Sequence, residues 1–485
     1  MKHSILFLTV FVSSIVQLHA QSDDNVDSVS FDLDDCIRYA LENTVEVQNA
    51  RIDEQIAKAK VKETVGIGLP QIDGSVNLTH NEKLSRFFLQ YDPDQPGFFD
   101  PGDIPGIEAG DVVAFPNFFQ LPSSGSAGVT VNQLIFNASY LVGLKAADTY
   151  KELAYKTTTQ TQIQVMENVE KAYYAVLVNN ERIALFDNNI ARVDSLLRTT
   201  RAMNENGFAE AIDVDRVRVT LNNLKSERLK FLNLQALSLG LLKFQMNYPI
   251  DKPLQVRGSL SDLTVDDNLF EDYEDGWDYR NRIEYELLDV QRRLQELDIK
   301  NKFSASLPSL SAFFNFGYST QSPDIGGLFT TESGVASTPL YGPDKWYNYS
   351  NFGLTLNVPI FSGLQRNYRM QQARLSLLKI ENSYSSLKQS IDLSIQQNTT
   401  TFKNSLETLK SQEENMELAE KVARVTKIKY EQGVGSSIEV TDAESSLREA
   451  QVNYYNALYD AILAKIDLDK AYAKLDPAQY ITDTK

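Results

Sequence analysis

The sequence predicts an α+β membrane protein made by internal duplication, in which each chain supplies four β-strands to a barrel that it cannot close alone. Three observations predict this class. Two very long stretches are nearly free of helix breakers. Four shorter stretches alternate apolar and polar residues. Both kinds of segment recur in the same order in the two halves of the 485-residue chain.

The duplication is visible in three colinear matches. Asn43-Thr-Val-Glu-Val opens a segment ending at Leu69-Pro70, and Asn281-Arg-Ile-Glu-Tyr opens one ending at Leu307-Pro308, at the same offset without a gap. Glu46 aligns with Glu284 and Lys62 with Lys300. The stretch from Gly128 to Phe136 matches Gly353 to Phe361, and Asn206 to Val214 matches Gln432 to Val440. Self-similarity of this kind sets the architecture before any local assignment. Each half reads as helix, strand, long loop, strand, very long helix, turn, helix. Repeat one covers about 30–246 and repeat two about 270–476.

The stretch from about Ala138 to Asn204 has no Pro and a single Gly, Gly143, and that from about Gln365 to Glu431 has neither. Apolar residues recur at helical spacing, as at Val165, Val169, Ala172 and Tyr173. At ~1.5 Å per residue, either helix runs roughly 100 Å, and helices this long need lateral partners.

Strands are expected at about 70–81, 125–136, 308–319 and 349–361. In the last, Phe352, Leu354, Leu356, Val358 and Ile360 take one face, while Gly353, Thr355, Asn357 and Pro359 take the other. Ala312, Phe314, Phe316 and Tyr318 alternate similarly, with Phe313 as an exception. Val129, Val131 and Ile135 do so in the first half, with Gln133 as an exception. One face suits lipid and the other water. Four strands flanked by such helices make no sensible soluble sandwich. The smallest outer-membrane barrels have about eight strands, so the barrel must be shared in a cyclic oligomer. The loops 81–124 and 319–350, rich in Pro, Gly and aromatics, fit an outer face; ligand-binding loops are the competing reading.

Composition narrows the rest. The chain is 42% hydrophobic and 23% charged, with a net charge of −18. An acidic balance argues against nucleic acid, whose phosphates require clustered cations. Residues 1–20 read as a signal peptide: Lys2, an apolar run from Ile5 to Val16, and Leu18-His19-Ala20 before a cleavage point. A membrane anchor is the alternative, but the run is short for a span. The mature chain, 21–485, has no later apolar run of that length. The single cysteine, Cys36, lies beside Asp34 and Asp35 and reads as a packed structural thiol. His80 is the one histidine beyond the signal, expected at a strand end. That leaves little for histidine catalysis or a His/Cys metal site, and no nucleotide, thiol-redox or metalloprotease motif occurs. No cofactor or metal is expected, and the chain does not read as an enzyme.

These residues together resemble the TolC-like outer-membrane efflux protein family over about 22–476. The features that carry the resemblance are the Leu33 to Asn43 segment, Leu-Pro before a strand at Leu69 and Leu307, Pro359 to Gly363 after the last strand, and a Gly-turn-Ile-acid-Val motif in each half. The resemblance implies a homotrimer with a twelve-stranded barrel in outer-membrane lipid and a helical barrel in the periplasm. It implies an exit duct of tripartite efflux or type I secretion, working with a periplasmic adaptor (membrane fusion) protein and an inner-membrane pump. It also implies site residues. Glu439 and Asp442 match acidic residues that line the periplasmic aperture; a solvated helix face is the alternative. Asp213 and Tyr430 match a polar lock between helices. The position that usually offers an Arg reads Gly435, so Lys427, Lys429 or Arg218 is the candidate substitute. The turns Gly207, Phe208, Ala209, Glu210 and Gly433, Val434, Gly435, Ser436 are the expected adaptor-contacting tips. Two other functions compete. A periplasmic coiled-coil structural protein would explain the helices but not the lipid-faced strands. A passive porin would need more strands and leave the helices unexplained.

Overall fold

The computed structural model describes residues 29–94, 106–117, 119–258, 260, 273, 277–329 and 346–480. The expected signal peptide lies outside these residues, as do parts of both long loops. Two compact units emerge, each built from separate stretches of chain. One contains the described residues within 29–48, 161–277 and 393–480, the other those within 49–160 and 278–392.

Seven α-helices are found among the described residues: α1 (Leu33–Asn43), α2 (Val45–Gly66), α3 (Ala138–Glu205), α4 (Ala211–Met246), α5 (Ile283–Ser304), α6 (Gln365–Glu431) and α7 (Ser437–Ala471). The two long ones have 68 and 67 residues. Asp32 caps α1, accepting from the Asp35 amide at 2.9 Å, as short acidic side chains do at free helix N–H groups. Thr44 separates α1 from α2: its extended backbone ends the first helix and its hydroxyl donates to the Ala40 carbonyl at 2.8 Å. None of the helices is long and apolar enough to cross a membrane.

The second unit carries one antiparallel sheet, in the order β2 (Gln71–His80), β5 (Ser123–Phe136), β7 (Ser309–Ser322), β8 (Tyr347–Asn357). The central pair, β5 with β7, joins the two repeats. The register sorts side chains by type. Ile72 stands opposite Val131, Val131 opposite Phe314, and Phe314 opposite Phe352. Val76, Val129, Phe316, Leu354 and Leu356 share that face by the period-two rule. It is exposed: Ile72 is 69%, Val76 72% and Phe352 85% accessible. The reverse face carries Asp73, Asn77, Thr130, Asn315, Asn351 and Thr355, with Asn315 donating to Asn351 at 2.7 Å.

Two departures from strict alternation have local causes. Phe313 lies on the polar face because its ring fills the space over Gly353, where a Cβ would come within 2.7 Å of it. Gln133 sits near a register irregularity and donates to the carbonyls of Gly68 and Leu134 at 2.9 and 2.7 Å. The last strand ends at Asn357 rather than near 361, since Pro359 lacks an N–H for the ladder.

Two small pairings were not anticipated. β1 (Val29–Phe31) runs parallel to β6 (Leu254–Val256) in the first unit. β3 (Phe87–Gln90) pairs with β4 (Val112–Phe115) inside the first long loop. Around β1, Cys36, Ile37, Leu41, Met166, Val169, Leu242 and Met246 form the first unit's main core. Cys36 is fully buried, and burial with Asp32 and Asp35 nearby pushes its thiol up to about 12, which suits packing rather than reactivity. His80 closes β2, its Nδ1 2.9 Å from the Ser123 hydroxyl.

Candidate functional site at the helical turns

Both turns lie in the first unit and share one backbone design. Gly207 and Gly433 adopt φ of 78° and 74°, the left-handed region that glycine enters without a Cβ penalty. The Gly207 amide donates to Asn204 O at 3.0 Å and the Phe208 amide to Met203 O at 2.8 Å. In the second repeat Gly433 donates to Tyr430 O and Val434 to Lys429 O, both at 3.0 Å. This is the bonding of a Schellman turn, which satisfies carbonyls left free at a helix end. Asn204 reinforces the first turn by donating to Ala209 O at 2.8 Å. The residue after each glycine stands in solvent, Phe208 at 80% and Val434 at 78% accessible, with Ile212 and Ile438 half exposed behind them. Paired apolar tips at equivalent repeat positions are suited to protein contact.

Ser436 caps α7, accepting from the Glu439 amide at 3.2 Å. Glu439 therefore lies in the first turn, where a carboxylate is favoured by the helix dipole. Glu439 and Asp442 are both exposed and lie three residues apart, on neighbouring positions of one face. Asp213 is more enclosed. It accepts from the Glu210 amide at 3.1 Å, from Arg216 Nη1 at 3.2 Å and from the Ser437 hydroxyl, so it ties α4 to the start of α7. Tyr430 is buried and its hydroxyl donates to Thr200 at 3.2 Å. Arg218 pairs with Asp215 of its own helix at 3.2 Å, and Lys427 with Glu431 at 3.8 Å. Among the described residues, no hydrogen bond or ion pair joins Asp213, Tyr430 and Arg218 to one another. The cation on Asp213 is Arg216, which the sequence reading passed over; its spacing of three from Asp213 was the available signal. Gly435 packs closely, a Cβ there falling 3.1 Å from the Tyr430 amide.

Behind the turns lies a buried polar bridge between α3 and α7. Arg192 makes paired bonds to Glu444, Nε to Oε1 at 3.0 Å and Nη2 to Oε2 at 2.9 Å. It also donates to Asn189 at 2.8 Å, and Asn189 donates to Gln451 at 2.8 Å. The Glu444 side chain is 4% accessible. Further along α3, Lys171 holds Glu167 at 2.7 Å and Asp467 at 2.5 Å, and Lys470 holds Glu167 at 2.6 Å.

Beside that network, burial pushes Glu170 up to about 7 from 4.5, helped by Asp469 and Glu167 and partly opposed by Lys465 and Lys171. The folded chain then holds a proton that the unfolded chain releases at the ordinary value. Stability falls as pH rises through the window from about 4.5 to about 7, and levels off above it. Glu170→Gln is expected to flatten that slope in unfolding measured across the window. A slope unchanged by the substitution would assign it to another group.

The folded halves, the lipid-compatible sheet and the twin glycine turns define a class, and the chain belongs to it: the outer membrane efflux protein family, matched over residues 36–242 and 288–474, one block in each repeat. It is a family of outer-membrane efflux proteins, not of enzymes. Among particular relatives, the outer membrane protein TolC of Vibrio cholerae is 21% identical over 354 residues, 72% of this chain and 77% of its own. The probable efflux pump outer membrane protein TtgC of Pseudomonas putida is 23% identical over 358 residues, 72% of this chain and 68% of its own. Solved structures share the fold. The transmembrane channel protein CusC has a TM-score of 0.68 at 15% identity, covering 91% of both chains. The CmeC outer membrane channel of Campylobacter jejuni has a TM-score of 0.64 at 15% identity, covering 92% of this chain and 86% of its own.

Proposed function

We propose that three copies of this chain close a twelve-stranded barrel and serve as the exit duct of a tripartite efflux or type I secretion system. The observation that carries this is the sheet. Its exposed face is apolar, its other face is polar, and β2 and β8 each leave one edge unpaired. Among the described residues no further strand pairs with those edges, and edges of this length are normally covered or paired. Because the four strands alternate in direction, β8 of one copy and β2 of the next meet antiparallel, so repetition extends the barrel without a break. Four strands fall short of the roughly eight that the smallest outer-membrane barrels use, which makes copies necessary. The family relationship supports three.

In this assembly the glycine turns face a periplasmic adaptor protein, with Phe208 and Val434 as its apolar contacts, and an inner-membrane pump supplies the cargo. Threefold repetition turns Glu439 and Asp442 into rings of carboxylates at the narrow end. Such rings attract cations and repel anions. Asp213 acts as a tether between neighbouring helices at the same level, through Ser437 and Arg216 rather than Arg218. The test is conductance in a planar bilayer. Glu439→Ala combined with Asp442→Ala is expected to lower cation preference measured from reversal potentials. Selectivity identical to the parent would remove the rings from the account.

A further inference from the structure

We propose that the loop end of the sheet's polar face binds a neutral oligosaccharide. The site is a cavity of about 760 Å³ in the second unit, within the ~300–1,000 Å³ range of small-molecule sites. It lies at the end of the strands remote from the long helices, where β2 stops and β5 begins.

Its floor is a grid of uncharged hydrogen-bonding groups. Asn77, Ser126 and Ser319 stand side by side across three strands, and Thr79, Ser124 and Gln321 form the next row. Neighbouring strands place the members of a row ~4.8 Å apart. Hydroxyls and amides both donate and accept, as ring hydroxyls require. Among the described residues, none that lines the cavity is charged, although 23% of the chain is. Those residues offer a ligand hydrogen bonds and no countercharge.

Among the described residues, no hydrogen bond occupies the side chains of Asn77, Thr79, Ser124, Ser126 or Ser319. Further down the same face, Asn315 and Asn351 bond each other. Within the cavity, Gln321 Oε1 is fixed by the Leu121 amide at 2.7 Å. That leaves its NH₂ group for a ligand. The walls are aromatic. Tyr347 stands opposite Ser319, and Phe119 is held edge-on against Phe87, with centroids 5.8 Å apart at 90°. Aromatic faces beside a hydroxyl and amide grid match the two surfaces of a sugar, whose C–H face is apolar and whose rim is polar. A water-lined wall alone would need the polar grid but not the rings.

Both polar rows and Tyr347 stand on the face opposite the apolar one, so the proposed ligand is a free oligosaccharide in the aqueous phase rather than the glycan of a membrane lipid. The inference goes beyond the export function and lies within one chain. Its failure would leave the barrel intact, and failure of the barrel would leave the cavity intact.

The test is saturation-transfer NMR of maltotriose with the full-length protein in a detergent that has no sugar headgroup. Transfer to the maltotriose ring protons is expected. Separate Phe119→Ala and Ser126→Val variants should each weaken binding at least about tenfold, through loss of a ring face and of a hydroxyl. Thr130→Ala, on the same face outside the cavity, should leave it unchanged. Absence of transfer, equal transfer in all variants, or equal transfer to a polyethylene glycol of similar mass would overturn the proposal.

Discussion

Arg192→Met is expected to destabilise the folded chain by about 3–5 kcal/mol, the range for removing one partner of a buried ion pair. The magnitude follows from the partner left behind. The Glu444 side chain is 4% accessible and takes its paired bonds from Arg192 alone. Without them a carboxylate remains in the α3–α7 seam with no cation, and Asn189 loses the donor that orients it toward Gln451. The double variant Arg192→Met with Glu444→Leu should recover most of the loss, because an apolar pair of similar volume carries no desolvation penalty. Denaturant unfolding followed by circular dichroism reads both. A single variant as stable as the parent, or a double variant no better than the single, would show that the bridge is a hydrated surface pair.

Phe352→Arg is expected to cost about 2–4 kcal/mol of membrane insertion, the penalty for a cation at the middle of the lipid face of a barrel. Phe352 is at the centre of β8, is 85% accessible, and stands beside Phe314 across the ladder. Thr355→Arg, on the polar face of the same strand, should insert normally, since a lumen position keeps its cation in water. The comparison matters more than either value. The two residues share a strand and differ in the face they present. The amount of each protein in the outer-membrane fraction measures the effect. Equal loss in both variants would mean that β8 responds to charge anywhere and that the apolar face has no lipid partner.

The helices were legible because their signal is local and repeated: from 365 to 431 nothing in the chain interrupts a helix, and α6 spans that stretch. The alternating faces were legible for the same reason. What joins distant segments was not. The β5–β7 pairing that fuses the repeats connects residues about 190 positions apart, and β1 is a three-residue strand whose partner lies beyond α4. At the turns, the glycine positions and exposed tips follow from residue type, since φ near 75° selects glycine. The charge partners do not follow. Sequence offered Arg218 and passed over Arg216, and helix phase decides: Arg216 lies three after Asp213, while Arg218 lies three after Asp215. Glu444 gave no signal among many acidic residues. Its importance comes from burial, which only packing reveals.

The central claim is that the barrel is shared between copies of this chain. The most direct test is the mass and image of the particle extracted from the outer-membrane fraction in detergent. A particle with the mass of three chains and threefold symmetry, carrying a tube at least roughly 100 Å long as the helices require, is the predicted result. A water-soluble monomer would contradict it, because a single copy leaves both sheet edges and the apolar face with no partner.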